Sequence, residues 1–171
     1  MTTATLRVRA VPTQVVLRVR AVPPQVVREL LVRDDAGRPA APSVDDEGGA
    51  PLRCCLRHSG PGERIALVTY APLRRWAAET GVDPGAYDEQ GPVFLHAEEC
   101  AGPEGDGLPF TSAHRVLRRY SADGRILGGR LVQAPADFAP ALREAYADPA
   151  VALVHVRAVE YGCFLYEVRR G

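Results

Sequence analysis

The chain is chopped into short β-prone runs, and that segmentation limits the folds open to it. Residues 64–70, 92–98, 114–120, 125–133, 151–158 and 163–169 are each apolar and β-prone, and Gly, Pro, Asp and Ser clusters separate them. Runs of this length with such punctuation read as strands. The Ser-Ala-Asp-Gly stretch after Tyr120 and the turn near 160–162 join neighbouring runs as hairpins. A further strand at 17–22 leads to a helix opening at Pro23-Pro24, a position that proline tolerates. Leu73, Trp76 and Ala77 have helical spacing, as do Phe138, Leu142 and Ala145 to Tyr146, with Pro140 confined to the first turn. About seven strands and two or three helices without a βαβ rhythm predict an α+β fold. Its sheet is expected to be mostly antiparallel, with hairpins and two or three packed helices.

Residues 6–16 read LRVRAVPTQVV and residues 17–27 read LRVRAVPPQVV, identical at ten of eleven positions. One exact, short repeat is not a solenoid, which needs longer units in several copies. Only the second copy continues into the helix, so residues 1–16 are expected to be a dispensable duplicated arm and 17–171 a single α+β domain. In the first copy Arg7 and Arg9 alternate with Leu6 and Val8, the pattern of a strand with one solvated face. At 171 residues the chain can bury a core without staples. Residues 34–50, rich in Pro, Gly and Asp, read as a loop.

Composition removes several functions. Twenty-one basic and twenty-one acidic residues leave no net charge, so no global field favours nucleic acid or an anionic membrane. No apolar run approaches a membrane span, and Arg and Pro interrupt the start of the chain where a signal peptide would be apolar. A cytoplasmic location is expected. Every basic residue is arginine; lysine is absent, as is asparagine, which suits a GC-rich genome. Without lysine there is no Schiff base, no phosphate-loop lysine and no kinase lysine. No G-x-S-x-G elbow occurs, and Ser59 beside His58 sits in a Gly/Pro turn.

Reactive side chains gather in three blocks: RCCLR at 53–57, GPVFLHAEEC at 91–100 and VHVRAVEYGCF at 154–164. Thiols and imidazoles carry most nucleophilic, acid–base and metal chemistry near neutral pH. In a reducing compartment Cys54, Cys55, Cys100 and Cys163 favour thiol or metal roles over disulfides. If residues 52–56 are extended, alternation points at most one of Cys54 and Cys55 into a shared site. His96-Ala97-Glu98 matches the H-x-E of zinc deaminases, but the required P-C-x-x-C is missing; the plain alternative is a core-edge histidine bonded to a carboxylate. His155 and Arg157 share one strand face, which would be solvated if Val154 and Val156 face the core. Opposite a Gly-Cys turn the same pair could form a pocket floor, Arg157 clamping an anion while His155 moves a proton. Each cysteine could equally serve as a small buried apolar residue.

These blocks, with PGERIALVTYAP and RRYSADG between them, closely resemble a bacterial family defined by sequence alone, domain of unknown function twelve-oh-three. The resemblance runs from Leu17 to the carboxyl terminus. It implies that Cys55, Leu56, Gly91, Pro92, Phe94, His96, Cys100, Arg119, Tyr120, His155, Arg157, Gly162 and Cys163 form the family pattern, and it implies no reaction. Two departures stand out. The family's Cys-x-x-Cys-Leu element has Leu52 in place of its first cysteine, and Ala158 replaces an asparagine. The first departure weakens any two-cysteine redox pair or metal knuckle.

The reading that follows is a cytoplasmic small-molecule enzyme, without cofactor, in secondary metabolism. Cys163 or Cys55 would be nucleophile or acid and His155 or His96 the base. Arg157 would bind an anionic substrate, with Arg119, Tyr120 and Phe94 lining the site. The alternative is a non-catalytic ligand-binding or zinc-stabilised module, with ligands drawn from Cys55, His96, Cys100, His155 and Cys163. Neither reading involves nucleic acid or membrane, and a homo-oligomer is left open.

Overall fold

The structure, a computed structural model, describes residues 15–105 and 107–171. The first repeat copy therefore lies outside the described residues except for Val15 and Val16, and so does most of the expected arm. Strand β1 (Leu17–Arg20) and helix α1 (Pro24–Val32) come first, then β2 (Ser43–Asp45), the hairpin β3 (Pro51–Leu52) and β4 (Arg57–His58), β5 (Glu63–Tyr70), α2 (Pro72–Thr80) and β6 (Gly91–His96). The second half holds β7 (Arg115–Ser121), β8 (Ile126–Val132), α3 (Phe138–Ala145), β9 (Val151–Ala158) and β10 (Phe164–Arg170).

The class is α+β, as the segmentation predicts, but the strands make two five-stranded sheets. One has the order β1-β10-β9-β7-β8 and the other β2-β5-β6-β3-β4. All pairings are antiparallel except β3 with β6. The strands without a clear sequence signal are the two- and three-residue pieces β2, β3 and β4, too short for any alternation to show.

Alternation explains the packing. Val154, Val156, Tyr166 and Val168 pack in one core with Phe138 and Leu142 of α3 and with Tyr146 at its end. Leu153 and Tyr120 pack with Leu73, Trp76 and Ala77 of α2. The first sheet is thus covered on both faces at its centre. Val27 and Leu30 of α1 pack with Ile65, Val68, Val93 and Leu95 of the second sheet, and Phe164 belongs to the same core. Polar ties fix the frame: Asp34 accepts backbone N–H groups from Ala36, Arg38 and Thr69 at 2.8–3.0 Å, joining the end of α1 to β5.

Hairpin β3–β4 is the piece that builds the site. Leu52 pairs with Phe94, and Arg53 donates its backbone N–H to the Phe94 carbonyl at 2.9 Å. The chain then reverses within residues 53–56, and the Leu56 N–H returns to the Leu52 carbonyl at 2.9 Å. Leu56 sits at φ 59°, a left-handed conformation that costs a non-glycine residue on the order of 1–3 kcal/mol. Burial of its side chain in the main core holds it there.

Candidate functional site: a thiol and imidazole cluster

The tight turn changes the geometry expected for Cys54 and Cys55. Alternation applies to extended chain, and residues 53–56 are a reversal, so both thiols point the same way. They meet His96, the last residue of β6, and Cys100 in the loop beyond. One ligand atom from each of Cys54, Cys55, His96 and Cys100 lies within 4.8 Å of all the others. The Cys54 and Cys55 Sγ atoms are 3.4 and 3.8 Å from His96 Nδ1. Cys54 and Cys55 are buried, with His96 and Cys100 half-buried.

Backbone N–H groups reach two of the sulfur atoms, and charge favours a thiolate at Cys55. The His96 N–H donates to Cys54 Sγ at 3.3 Å and the Gly102 N–H to Cys100 Sγ at 3.5 Å. A hydrogen bond from the Cys54 thiol lowers the Cys55 pKa to about 6, assisted by the Arg57 N–H and the nearby His96 and Arg57 charges, against burial. Cys54 moves the opposite way, raised by that shared proton and by burial. Behind the imidazole, Arg57 and Glu63 form a bidentate pair at 2.6 and 2.9 Å. Arg57 Nη2 is 3.2 Å from His96 Nε2 and Glu63 Oε1 is 3.6 Å from it. Arg57, first, holds the Glu63 carboxyl down at about 2. Arg53 is a buried cation, lowered by that burial to about 10; its Nε donates to the Phe164 carbonyl at 2.8 Å and its Nη1 to the Pro51 carbonyl.

This donor set fits a soft metal. A tetrahedral zinc with sulfur at about 2.3 Å and nitrogen at about 2.0 Å places its ligand atoms about 3.5–3.8 Å apart. Three thiolates and one imidazole around a divalent ion carry a net charge of about −1, and Arg57, whose charge acts on Cys55, offsets part of it. Glu63 Oε1 lies 3.6 Å from His96 Nε2, on the side from which a carboxylate accepts the N–H of a metal-bound histidine and orients the ring.

The remaining expected residues lie elsewhere. His155 is completely buried, its ring 4.8 Å from that of Tyr120 and 5.0 Å from that of Phe164, with neither nitrogen hydrogen-bonded. Burial first, and then Arg157, Arg118 and Arg169, push its pKa well below the usual imidazole value. Arg157 and Cys163 do share a cavity, of about 190 Å³, with Glu89, Tyr161 and Phe164. Arg157 is already engaged there: it pairs with Glu89 at 2.8 Å and donates to the Gly162 carbonyl at 2.9 Å. Cys163 donates to the Tyr161 carbonyl at 3.6 Å. Phe94 lies beside the cluster through its pairing with Leu52. Arg119 pairs with Val154 and Tyr120 with Leu153, so the two face opposite sides of the sheet; Arg119 passes over Gly128, where any Cβ would meet Nη2 at 2.7 Å.

The sequence left Cys54 outside the candidate ligand set and gave no sign of Arg57, Glu63 or Glu89. It also grouped His155 and Cys163 with the metal candidates, and among the described residues neither belongs to the cluster. Cys54 had the plainest available signal, a thiol two residues from the vacated Cys-x-x-Cys position.

The fold and cluster together define a small α+β protein with a three-cysteine, one-histidine centre. A family model described as a protein of unknown function, DUF1203, matches residues 49–170, and the chain belongs to that family. All four cluster residues fall within the match, which begins downstream of both repeat copies and α1. No curated protein and no solved structure matches the chain.

Proposed function

We propose that this protein is a zinc-binding module, with Cys54, Cys55, His96 and Cys100 as its four ligands. The observation that carries the reading is the convergence of those four atoms from a hairpin turn, a strand end and a loop. Four protein ligands leave no open coordination position, the mark of a structural rather than a catalytic ion. The ion would pin the β3–β4 turn to the end of β6. Four free cysteines suit a reducing compartment such as the bacterial cytoplasm. Elemental analysis of protein purified under reducing conditions tests this: about one zinc per chain is expected, and a fully folded, metal-free protein refutes it.

A second reading keeps a small-molecule enzyme at the other thiol, because Cys163 and Arg157 line one cavity. Glu89 would have to release Arg157 to an anionic substrate. Alkylation of Cys163 tests this reading: protection by small carboxylates supports it, and unchanged rates remove it.

A further inference from the structure

On the face of β7 and β9 that also carries Tyr120 and His155, two arginines share one carboxylate. The register sets Val116 opposite Arg157 and Arg118 opposite His155, so Arg118 and Arg157 are diagonal neighbours, close enough for long side chains to meet. Both guanidinium groups converge on a single atom, Glu89 Oε1: Arg157 Nη1 lies 2.8 Å from it and Arg118 Nη1 donates a hydrogen bond to it. Glu89 comes from the loop between α2 and β6. Neither arginine has another carboxylate partner among the described residues, so two cations and one anion leave a positive charge over. Burial first, and then Arg118, work against the charge on Arg157. The Tyr120 hydroxyl is fully buried and donates to no acceptor among the described residues, and the charges of Arg118, Arg157 and Glu89 act on it.

The cavity of about 190 Å³ is lined by Arg157 and Glu89 together with Tyr70, Pro92 and Phe164. Ordinary ligand pockets run from about 300 to 1,000 Å³, so its ligand is small. Guanidinium groups present forked donors suited to a carboxylate, and a carboxylate is what the pair already holds. We infer that Arg118 and Arg157 form the seat of a small carboxylic acid with an aromatic tail, and that Glu89 fills this seat as a built-in competitor. The ligand's carboxylate takes the place of the Glu89 side chain, and its ring packs against Tyr70 and Phe164. Glu89 is half-exposed, so its release returns a carboxylate to water with little change in solvation.

The ligand class assigned in this way rests on the second reading above for its cavity, and it needs neither zinc nor a reaction at Cys163. A carboxylate tethered beside the seat competes at an effective concentration on the order of millimolar. Removing it should therefore tighten binding of a free carboxylate.

Calorimetric titration of the full-length protein and of its Glu89→Ala variant with benzoate, and with benzamide as the uncharged isostere, tests the seat. Benzoate should bind Glu89→Ala one-to-one and at least about tenfold more tightly than it binds the unaltered protein. Benzamide should bind Glu89→Ala at least about tenfold more weakly than benzoate does. Adding Arg118→Met to Glu89→Ala should undo the gain in benzoate affinity. No binding by Glu89→Ala, equal benzoate affinity with and without Glu89, or benzamide matching benzoate overturns the proposal. If the double variant fails to fold, benzoate against benzamide on Glu89→Ala still decides. Alkylation of Cys163 in the same samples keeps the seat apart from the thiol enzyme. Tight benzoate binding by Glu89→Ala with an unchanged alkylation rate removes only the enzyme reading. Protection of Cys163 at the same benzoate concentration with and without Glu89 removes only the seat that Glu89 fills.

Discussion

Two regions of this molecule hold the same kinds of side chain and treat them in opposite ways. Around the β3–β4 turn, three thiols and an imidazole turn toward one another, with N–H donors at two sulfurs and Arg57 supporting negative charge on Cys55. In the β9–β10 hairpin, the histidine is sealed between aromatic rings and the cysteine stands apart at a cavity edge. Residue type alone would rank them equally. The difference is local backbone: a reversal gathers neighbouring side chains, whereas a paired strand distributes them over two faces.

The comparison can be broken most forcefully at Cys100. If the cluster holds zinc, Cys100→Ser should lose the ion and cost on the order of 4 kcal/mol, in the range associated with loss of a metal. Elemental analysis and urea unfolding of the variant measure both. An intact melting curve together with retained metal would erase the contrast between the regions.

His155 gives the next largest effect, through pH. Its folded pKa is depressed well below 6.5, so the unfolded chain takes up the proton first. The stability of the neutral ring is fully present above about pH 6.5 and is lost as pH falls, with a slope approaching about 1.4 kcal/mol per pH unit. Glu167, 3.8 Å from His155 Nε2, works in the other direction: burial raises its pKa, so its contribution is present at acid pH and lost on the way up. His155→Phe should leave stability at pH 7 within about 1.5 kcal/mol and flatten the decline between pH 6.5 and 5. Unfolding curves of both proteins across that range decide it. An unchanged slope would mean that His155 is not held neutral.

Cys163→Ser should produce the smallest change, about 0.5 kcal/mol or less with unaltered metal content, as for ordinary substitutions near the surface. Loss of metal from this variant would join the two regions into one site.

The larger elements were legible because their signals are local. The runs at 64–70 and 151–158 coincide closely with β5 and β9, and Leu73, Trp76 and Ala77 do form the buried stripe of α2. His96 and Cys100 were within reach as a pair because they are close in sequence. Cys54 was not, since its orientation depends on a left-handed Leu56 that only the buried side chain makes tolerable. The fate of His155 was equally hidden. A strand reading Val-His-Val-Arg alternates as a half-solvated strand should, yet α2 and the aromatic rings of Tyr120 and Phe164 close over the polar side. Such coverage depends on contacts distant in sequence, which periodicity cannot show.

Titration of metal-free protein with Co²⁺ under reducing conditions tests the central claim most directly, because the ion's spectrum reports both ligand type and geometry. The account predicts one bound ion per chain, with intense thiolate-to-metal charge transfer and the visible bands of a tetrahedral site. Zn²⁺ should abolish these bands on displacing the cobalt, and Cys54→Ala should not develop them. A folded protein whose spectrum stays that of aqueous Co²⁺ throughout the titration would contradict it.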